Sequence, residues 1–238
     1  MREWKALRRL ALAVVVCWLC STSQAVGGII LDDFNRADGT NMGSNWTERA
    51  GDFSIQSNRA SGPAYSLMTF IGATSNSVTV DAFPNTLDLS YVAIVLGYAD
   101  LSNNLFLKVQ NQGSTDFNYL GFYFGNNGTN NGAWSQSQFL ALSSSFASAR
   151  MTATLSGTTV TLEFDTDFDG TPEQTYSRGS VPLGLLGSGI GLGGWTYATM
   201  DNFSIPGEQA IPEPGTAALL GSALVALAVA LRRRLRSH

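Results

Sequence analysis

Alternation is the feature that most restricts what this chain can become. Between residues 28 and 205 helical periodicity is hard to find, and short β-branched and aromatic runs recur between clusters of Gly, Asn, Asp and Ser. In Met151-Thr152-Ala153-Thr154-Leu155 the side chains at 151, 153 and 155 share an apolar face. In Val160-Thr161-Leu162-Glu163-Phe164 those at 160, 162 and 164 do the same. Ser156-Gly157 predicts a compact turn that joins the two strands into a hairpin. Further strands are expected at Ala64–Phe70, Ser77–Phe83, Tyr91–Tyr98, Leu105–Gln110, Tyr119–Phe124 and Thr199–Ile205. About ten or more short strands, with no Pro-rich interruption and no clear repeat, predict one all-β domain, a two-sheet antiparallel jelly-roll sandwich.

The two ends read differently. Arg2, Lys5, Arg8 and Arg9 precede an unbroken apolar run from Leu10 to Cys20, and Ser23-Gln24-Ala25 then offers small residues for cleavage. Residues 1–25 are therefore expected to be a helical signal peptide removed by signal peptidase, because the run is short for a membrane span. The sandwich is expected over 26–206, followed by a linker over 207–214 and an apolar helix over 215–231. That helix has the minimal length for spanning a bilayer. Arg232, Arg233, Arg234 and Arg236 lie in a basic tail over 232–238, which the positive-inside rule assigns to the cytoplasm.

Charge follows the same division. Of 18 acidic side chains, Glu3 and Glu213 lie outside residues 26–211, and of 14 basic ones eight do; the domain keeps 16 acidic against 6 basic, a net −10. Such a surface is a poor partner for nucleic acid. It suits solubility outside the cell and can attract divalent cations. Cys17 and Cys20 are in the signal, and the single histidine is His238 at the far end. The domain therefore has no thiol chemistry, no Ser-His-Asp triad and no histidine-ligated zinc.

Ile211-Pro212-Glu213-Pro214-Gly215-Thr216, the apolar helix and the arginines come in the order of the PEP-CTERM sorting signal, which residues 211–238 resemble. The resemblance places Pro212, Glu213 and Pro214 in the sorting motif. It implies processing by an exosortase, a Gram-negative host, and a role at the cell surface or in extracellular matrix. Residues 29–205 resemble the concanavalin A-like lectin/glucanase (laminin-G-like) jelly roll. The stretches that carry this are LDDFNRADGTNMGSNWTERAGDFSIQSNRA, GTTVTLEFDTDFDG and TMDNFSI. Together they imply a structural or adhesive surface protein that is not an enzyme and binds exopolysaccharide weakly. Two alternatives stay open, a glucanase-like hydrolase and a calcium-dependent lectin.

Asp165-Thr166-Asp167-Phe168-Asp169-Gly170 is the strongest candidate site. Aspartates at i, i+2 and i+4 before a glycine can converge on one hard cation such as calcium. An EF-hand would need a glutamate where Tyr176 stands, and Glu173 is the one later acid near enough to help. The competing reading is a polar turn whose aspartates cap backbone amides. The jelly-roll resemblance implies a second calcium position at Asp33 and Asp201. It also implies a hydrolytic pair on alternate positions of one strand, for which Glu163 and Asp167 are the candidates. For sugar stacking the candidates are the rings of Phe117–Phe124, Trp134 and Trp195, each of which is also what a sandwich core needs. The Gly-rich stretch Leu183–Trp195 reads as strand and loop, and Asn126–Gly132 as an exposed loop.

Overall fold

The computed structural model describes residues 29–125, 134 and 138–206. The expected signal peptide, the linker with Pro212-Glu213-Pro214, the apolar helix and the basic tail lie outside the described residues, as does the loop Asn126–Gly132. Among the described residues no helix is long and apolar enough to cross a membrane.

In chain order the strands are β1 Ile29–Asp32, β2 Trp46–Ala50, β3 Ser54–Ile55, β4 Ala60–Ser61, β5 Ser66–Phe70, β6 Ser77–Phe83, β7 Tyr91–Asp100 and β8 Asn103–Gln110. Then come β9 Phe117–Phe124, β10 Gln138–Phe146, β11 Ala149–Ser156, β12 Thr159–Asp165, β13 Gln174–Arg178, β14 Gly189–Trp195 and β15 Thr199–Ile205. A 3-10 turn spans Leu183–Leu185. One sheet runs β13-β12-β11-β6-β15-β4-β3, with β1 also on β15, and the other runs β10-β9-β8-β7-β14-β5-β2. All pairings between these strands are antiparallel. The result is the expected all-β jelly-roll sandwich.

Period-two patterning puts one set of side chains between the sheets. The eight-stranded sheet sends in Val78, Val80, Met151, Ala153, Val160, Leu162, Phe164 and Met200. The seven-stranded sheet sends in Met68, Val92, Ile94, Leu105, Leu107, Leu120, Phe122, Ile190 and Leu192. The β11–β12 hairpin forms in the register that alternation dictates, Met151 opposite Phe164 and Ala153 opposite Leu162. Its turn falls one residue later than expected, on Gly157-Thr158, with Gly157 at φ +54°. That left-handed conformation is open to glycine and strained for Ser156.

The opening segment is pinned from both sides. Asp32 at the end of β1 accepts from the Trp46 indole at 2.6 Å and from Arg36 at 2.5 Å, and it caps the Phe34 amide at 2.8 Å. Trp46 in turn meets Phe203 and Phe70, with ring centroids 4.9 and 5.1 Å away. A carboxylate on one sheet thus holds a tryptophan of the other.

The outer faces of the two sheets are unlike. On β6, β11, β12 and β13 the outward positions are mostly hydroxyl or charged, joined in pairs: Ser77 to Thr154 at 2.8 Å, Thr79 to Thr152 at 2.9 Å, Thr161 to Ser177 at 2.9 Å. Arg150 bridges to buried Asp81 at 3.0 Å, and Asn202 donates to the other Asp81 oxygen at 2.8 Å. On the seven-stranded sheet the outward positions carry a second apolar cluster, built from Leu67, Tyr91, Ala93, Val95, Phe106 and Tyr123.

Candidate functional site

The acidic turn follows β12 directly. Outward alternation leaves Asp165 at the strand's end, where it is 5% exposed. The chain then reverses through Phe168 at φ +62° and Gly170 at φ +93°. Each acid fastens a backbone amide: Asp165 that of Gly170 at 2.9 Å, Asp167 that of Asp169 at 3.1 Å, Asp169 that of Thr171 at 2.7 Å. Glu173 accepts from the Thr166 amide at 2.5 Å and its hydroxyl at 2.9 Å. Those bonds hold the Glu173 carboxyl below the usual carboxylate range, against an opposing push from Asp169.

Asp165, Asp167, Asp169 and Glu173 each bring one carboxylate oxygen to within 4.8 Å of the others. Unit charges about 4 Å apart repel by roughly 1 kcal/mol even in bulk water, so four together form a site of strong negative potential. The sequence placed the three aspartates and named Glu173 as the helper, and the fold brings all four together. Capping and convergence, alternatives in the sequence, coexist here because a carboxylate has two oxygens. Asp165 Oδ2 holds the Gly170 amide, and Asp165 Oδ1 is buried without a hydrogen-bond partner. A buried unpartnered carboxylate oxygen beside three further acids fits a hard, oxygen-preferring cation such as calcium.

Asp33 and Asp201 have a different setting. Asp33 is exposed and caps the Asn35 amide at 3.1 Å. Asp201 is half-buried and its carboxyl is raised by that burial, with Asp81 and Asp33 adding to the rise and Arg59 and the Asn202 amide opposing it. Asp33 and Asp201 are near enough for their charges to interact, but they converge with no third acid among the described residues. Asp201 sits at a register shift in the β15–β6 pairing, next to Asn202 at φ +51°. Glu163 and Asp167 do not share a strand. Glu163 is on the outer face of β12, opposite Thr152, and Asp167 is in the turn beyond it. Both belong to the eight-stranded sheet and its loops.

The outer face of the seven-stranded sheet carries the second constellation. Lys108 on β8 faces outward between Phe106 and Gln110. Its ammonium lies 4.7 Å from the Tyr91 ring centroid, 5.2 Å from Tyr123 and 5.6 Å from Phe139, and donates to Gln110 Oε1 at 2.7 Å. Tyr91 stacks on Trp195 at 6.2 Å and 13°, and Tyr119 on Phe139 at 4.8 Å and 4°. Burial pushes the Lys108 ammonium down to about 8, and pushes the Tyr91 and Tyr123 hydroxyls up.

Glycines make this face possible. Gly121 stands opposite both Lys108 and Phe139, so Phe139 reaches the ammonium across a position that has no side chain. A Cβ on Gly193 would lie 2.6 Å from Phe106, and one on Gly121 would lie 2.3 Å from Tyr123. The rings of Phe106 and Tyr123 thus occupy space that side chains at 193 and 121 would need. Leu89, Tyr91, Lys108, Gln110 and Trp195 line a shallow hollow of about 190 Å³. A larger hollow of about 430 Å³ at one end of the sandwich, among Thr74, Asn76, Leu96, Leu155 and Leu186, has no ionisable side chain in its wall.

Of the rings named as sugar-stacking candidates, Leu120's neighbours Phe122 and Phe124 are core residues, and so is Phe117. Trp134 is buried too, donating to the Gly179 carbonyl at 3.1 Å under the Arg178 guanidinium. Tyr119, Tyr123 and Trp195 belong to the outer face. Lys108 and Gln110 were not among the sequence candidates. The only sign of them is a lone lysine inside the apolar run Leu105–Val109.

No protein-family model matches this chain. No curated protein matches it in sequence. Among solved structures it is similar to a carbohydrate-binding module, CBM66, from Bacillus subtilis: 13% identity, 67% of this chain and 93% of that one, TM-score 0.45. It is also similar to a β-1,3-glucanase from Mycobacterium marinum, at 13% identity over 77% of this chain and 95% of that one, TM-score 0.46. The exoplasmic/lumenal domain of VIP36 in its Ca2+/Man3GlcNAc-bound form matches at 12% identity, 74% of this chain and 89% of that one, TM-score 0.42.

Proposed function

We propose that this chain is an exported surface or matrix protein whose jelly roll binds glycan on the outer face of the seven-stranded sheet. One observation carries the reading: Tyr91, Trp195, Tyr119 and Phe139 are grouped around Lys108 and Gln110. Aromatic walls with a few polar groups are the usual composition of a small-ligand site. Ring faces take the C–H faces of a sugar, and the amide and ammonium take its oxygens. Among the described residues, the outward positions of β7, β8, β9 and β14 across this hollow hold no carboxylate. That favours binding over a two-carboxylate hydrolysis. Export and exosortase sorting belong to the same proposal and are supported by the order of Pro212-Glu213-Pro214, apolar helix and arginines. The test is calorimetry of the purified full-length protein against a polysaccharide panel, with Trp195→Ala beside it. Binding that falls about tenfold or more in the variant supports the reading, and a panel without binding overturns it.

A second reading follows from the acidic turn. Asp165, Asp167, Asp169 and Glu173 would hold a calcium ion through the oxygens that do not cap amides, and the ion's charge would offset their mutual repulsion. The acids sit after β12 of the eight-stranded sheet, while the rings cover the other sheet, so the ion would brace a turn without touching the sugar. Calcium calorimetry on the wild type and on Asp165→Asn tests it. Equal heats from the two proteins would refute the assignment.

A further inference from the structure

We infer that the sugar recognised at the Lys108 hollow is an acidic one, a uronate whose carboxylate pairs with the Lys108 ammonium while its ring lies against Trp195 and Tyr91. The inference rests on the glycan-binding reading and narrows it to a ligand class. Its first support is the company Lys108 keeps. An ammonium has three donors, and among the described residues the one hydrogen-bond acceptor that serves it is the neutral Gln110 Oε1. No carboxylate among the described residues lies within ion-pair distance of it; the ion pairs found there are Arg36–Asp32 and Arg150–Asp81. In a domain with 16 acidic side chains, half-buried Lys108 is left without an acidic partner among the described residues. Buried charges are ordinarily paired, because desolvating one costs several kcal/mol. The rings of Tyr91, Tyr123 and Phe139 return only about 0.5–2 kcal/mol each by attraction to the ammonium.

The second support is geometric. Lys108, Gln110, Tyr91 and Trp195 line one hollow, so a cation with no carboxylate partner among the described residues and the stacking surface face the same volume. Gln110 holds Lys108 through its oxygen, which leaves its amide NH₂ as a further donor beside the ammonium. Two adjacent donors, one charged, match a planar carboxylate, and the flat pair Trp195–Tyr91 matches a sugar ring attached to it. The net charge of the domain argues in the same direction for specificity. An acidic polymer is repelled by the surface at large and held only where the cation is exposed to it.

The experiment compares one oligosaccharide in two charge states: an oligogalacturonate and its methyl ester, titrated into the full-length protein at low salt. Esterification removes the charge and keeps the ring. The expected result is tighter binding of the acid by about tenfold or more, shrinking as salt rises, and reduced to near parity in Lys108→Met. Acid and ester bound equally tightly, with Trp195 still required, would overturn the uronate assignment and leave the glycan-binding reading standing. Neither form bound, with no other glycan bound, would overturn both. An unfolded Lys108→Met would not obscure the outcome, because the acid-to-ester ratio of the wild type alone decides it.

Discussion

Replacing Lys108 with methionine should make this protein more stable. Methionine keeps the unbranched stem against Tyr91, Tyr123 and Phe139 and removes the charge. Burial lowers the lysine from its ordinary 10.5 to about 8. At about 1.4 kcal/mol per pKa unit this corresponds to roughly 3 kcal/mol of destabilisation at neutral pH. Residual contact with water reduces it to about 2. Against this the variant loses the ring–ammonium attraction and leaves Gln110 Oε1 without its donor, together about 1 kcal/mol. The net gain is about 1 kcal/mol near neutrality, a rise in Tm of about 2–4 °C for a domain of this size. The sign with pH is fixed by linkage. Because the folded pKa is depressed, the unfolded chain holds the extra proton between about pH 8 and 10.5. Wild-type stability therefore climbs through that window, and the advantage of the variant shrinks as it does. Urea unfolding of both proteins near neutrality and again above about pH 9 measures the difference. A variant less stable than wild type near neutrality would refute the reasoning and make Lys108 a structural residue. So would a difference that does not change with pH. A cation that costs stability where it stands is the signature of a group kept for a ligand.

Three further outcomes follow from the geometry. Gly193→Val should destabilise the domain by about 1–3 kcal/mol and disturb the aromatic floor, since even a Cβ there would lie 2.6 Å from Phe106; near-UV circular dichroism reports the change. Asp81→Ala should cost about 2–4 kcal/mol in denaturant unfolding, because it strips the partners of Arg150 and Asn202 at a buried position. Calcium at about one hundred times its dissociation constant should add about 2.7 kcal/mol of stability, lost in Asp165→Asn, while glycan affinity stays the same with and without chelator.

The sequence tells strands from turns well here and tells faces apart poorly. Every strand anticipated from Ser77–Phe83 through Thr199–Ile205 is present, because period-two alternation is a local signal and survives whatever the sheet does. The two-residue strands β3 and β4 carry too little pattern to be seen, and β1, β2, β10 and β13 are likewise not among the runs read as strands. The acidic turn was legible for the same reason as the hairpin: its four acids lie within nine residues, and a turn of that length can only fold them toward one another. The aromatic face is a different matter. It is assembled from β7, β8, β9, β10 and β14, and apart from Lys108 and Gln110 on β8 its partners meet across strands. Phe122 and Tyr123 are neighbours in the chain and go to opposite sides, one into the core and one to the lysine. The glycines at 121 and 193 read as weak points in a strand, and their purpose appears only when the rings that occupy their space are known.

The last strand has a mechanical consequence. β15 is flanked by β6 on one side and by β1 and β4 on the other, so the chain leaves the sandwich from an interior strand of its sheet. A pull along the axis of β15 loads its cross-strand hydrogen bonds on both sides together, in shear, because those bonds lie perpendicular to the strand. The Phe203 ring, wedged against Trp46 and Phe70, acts as a cleat against that sliding. Tension of this kind meets, at the exit, a strand that is paired on both sides.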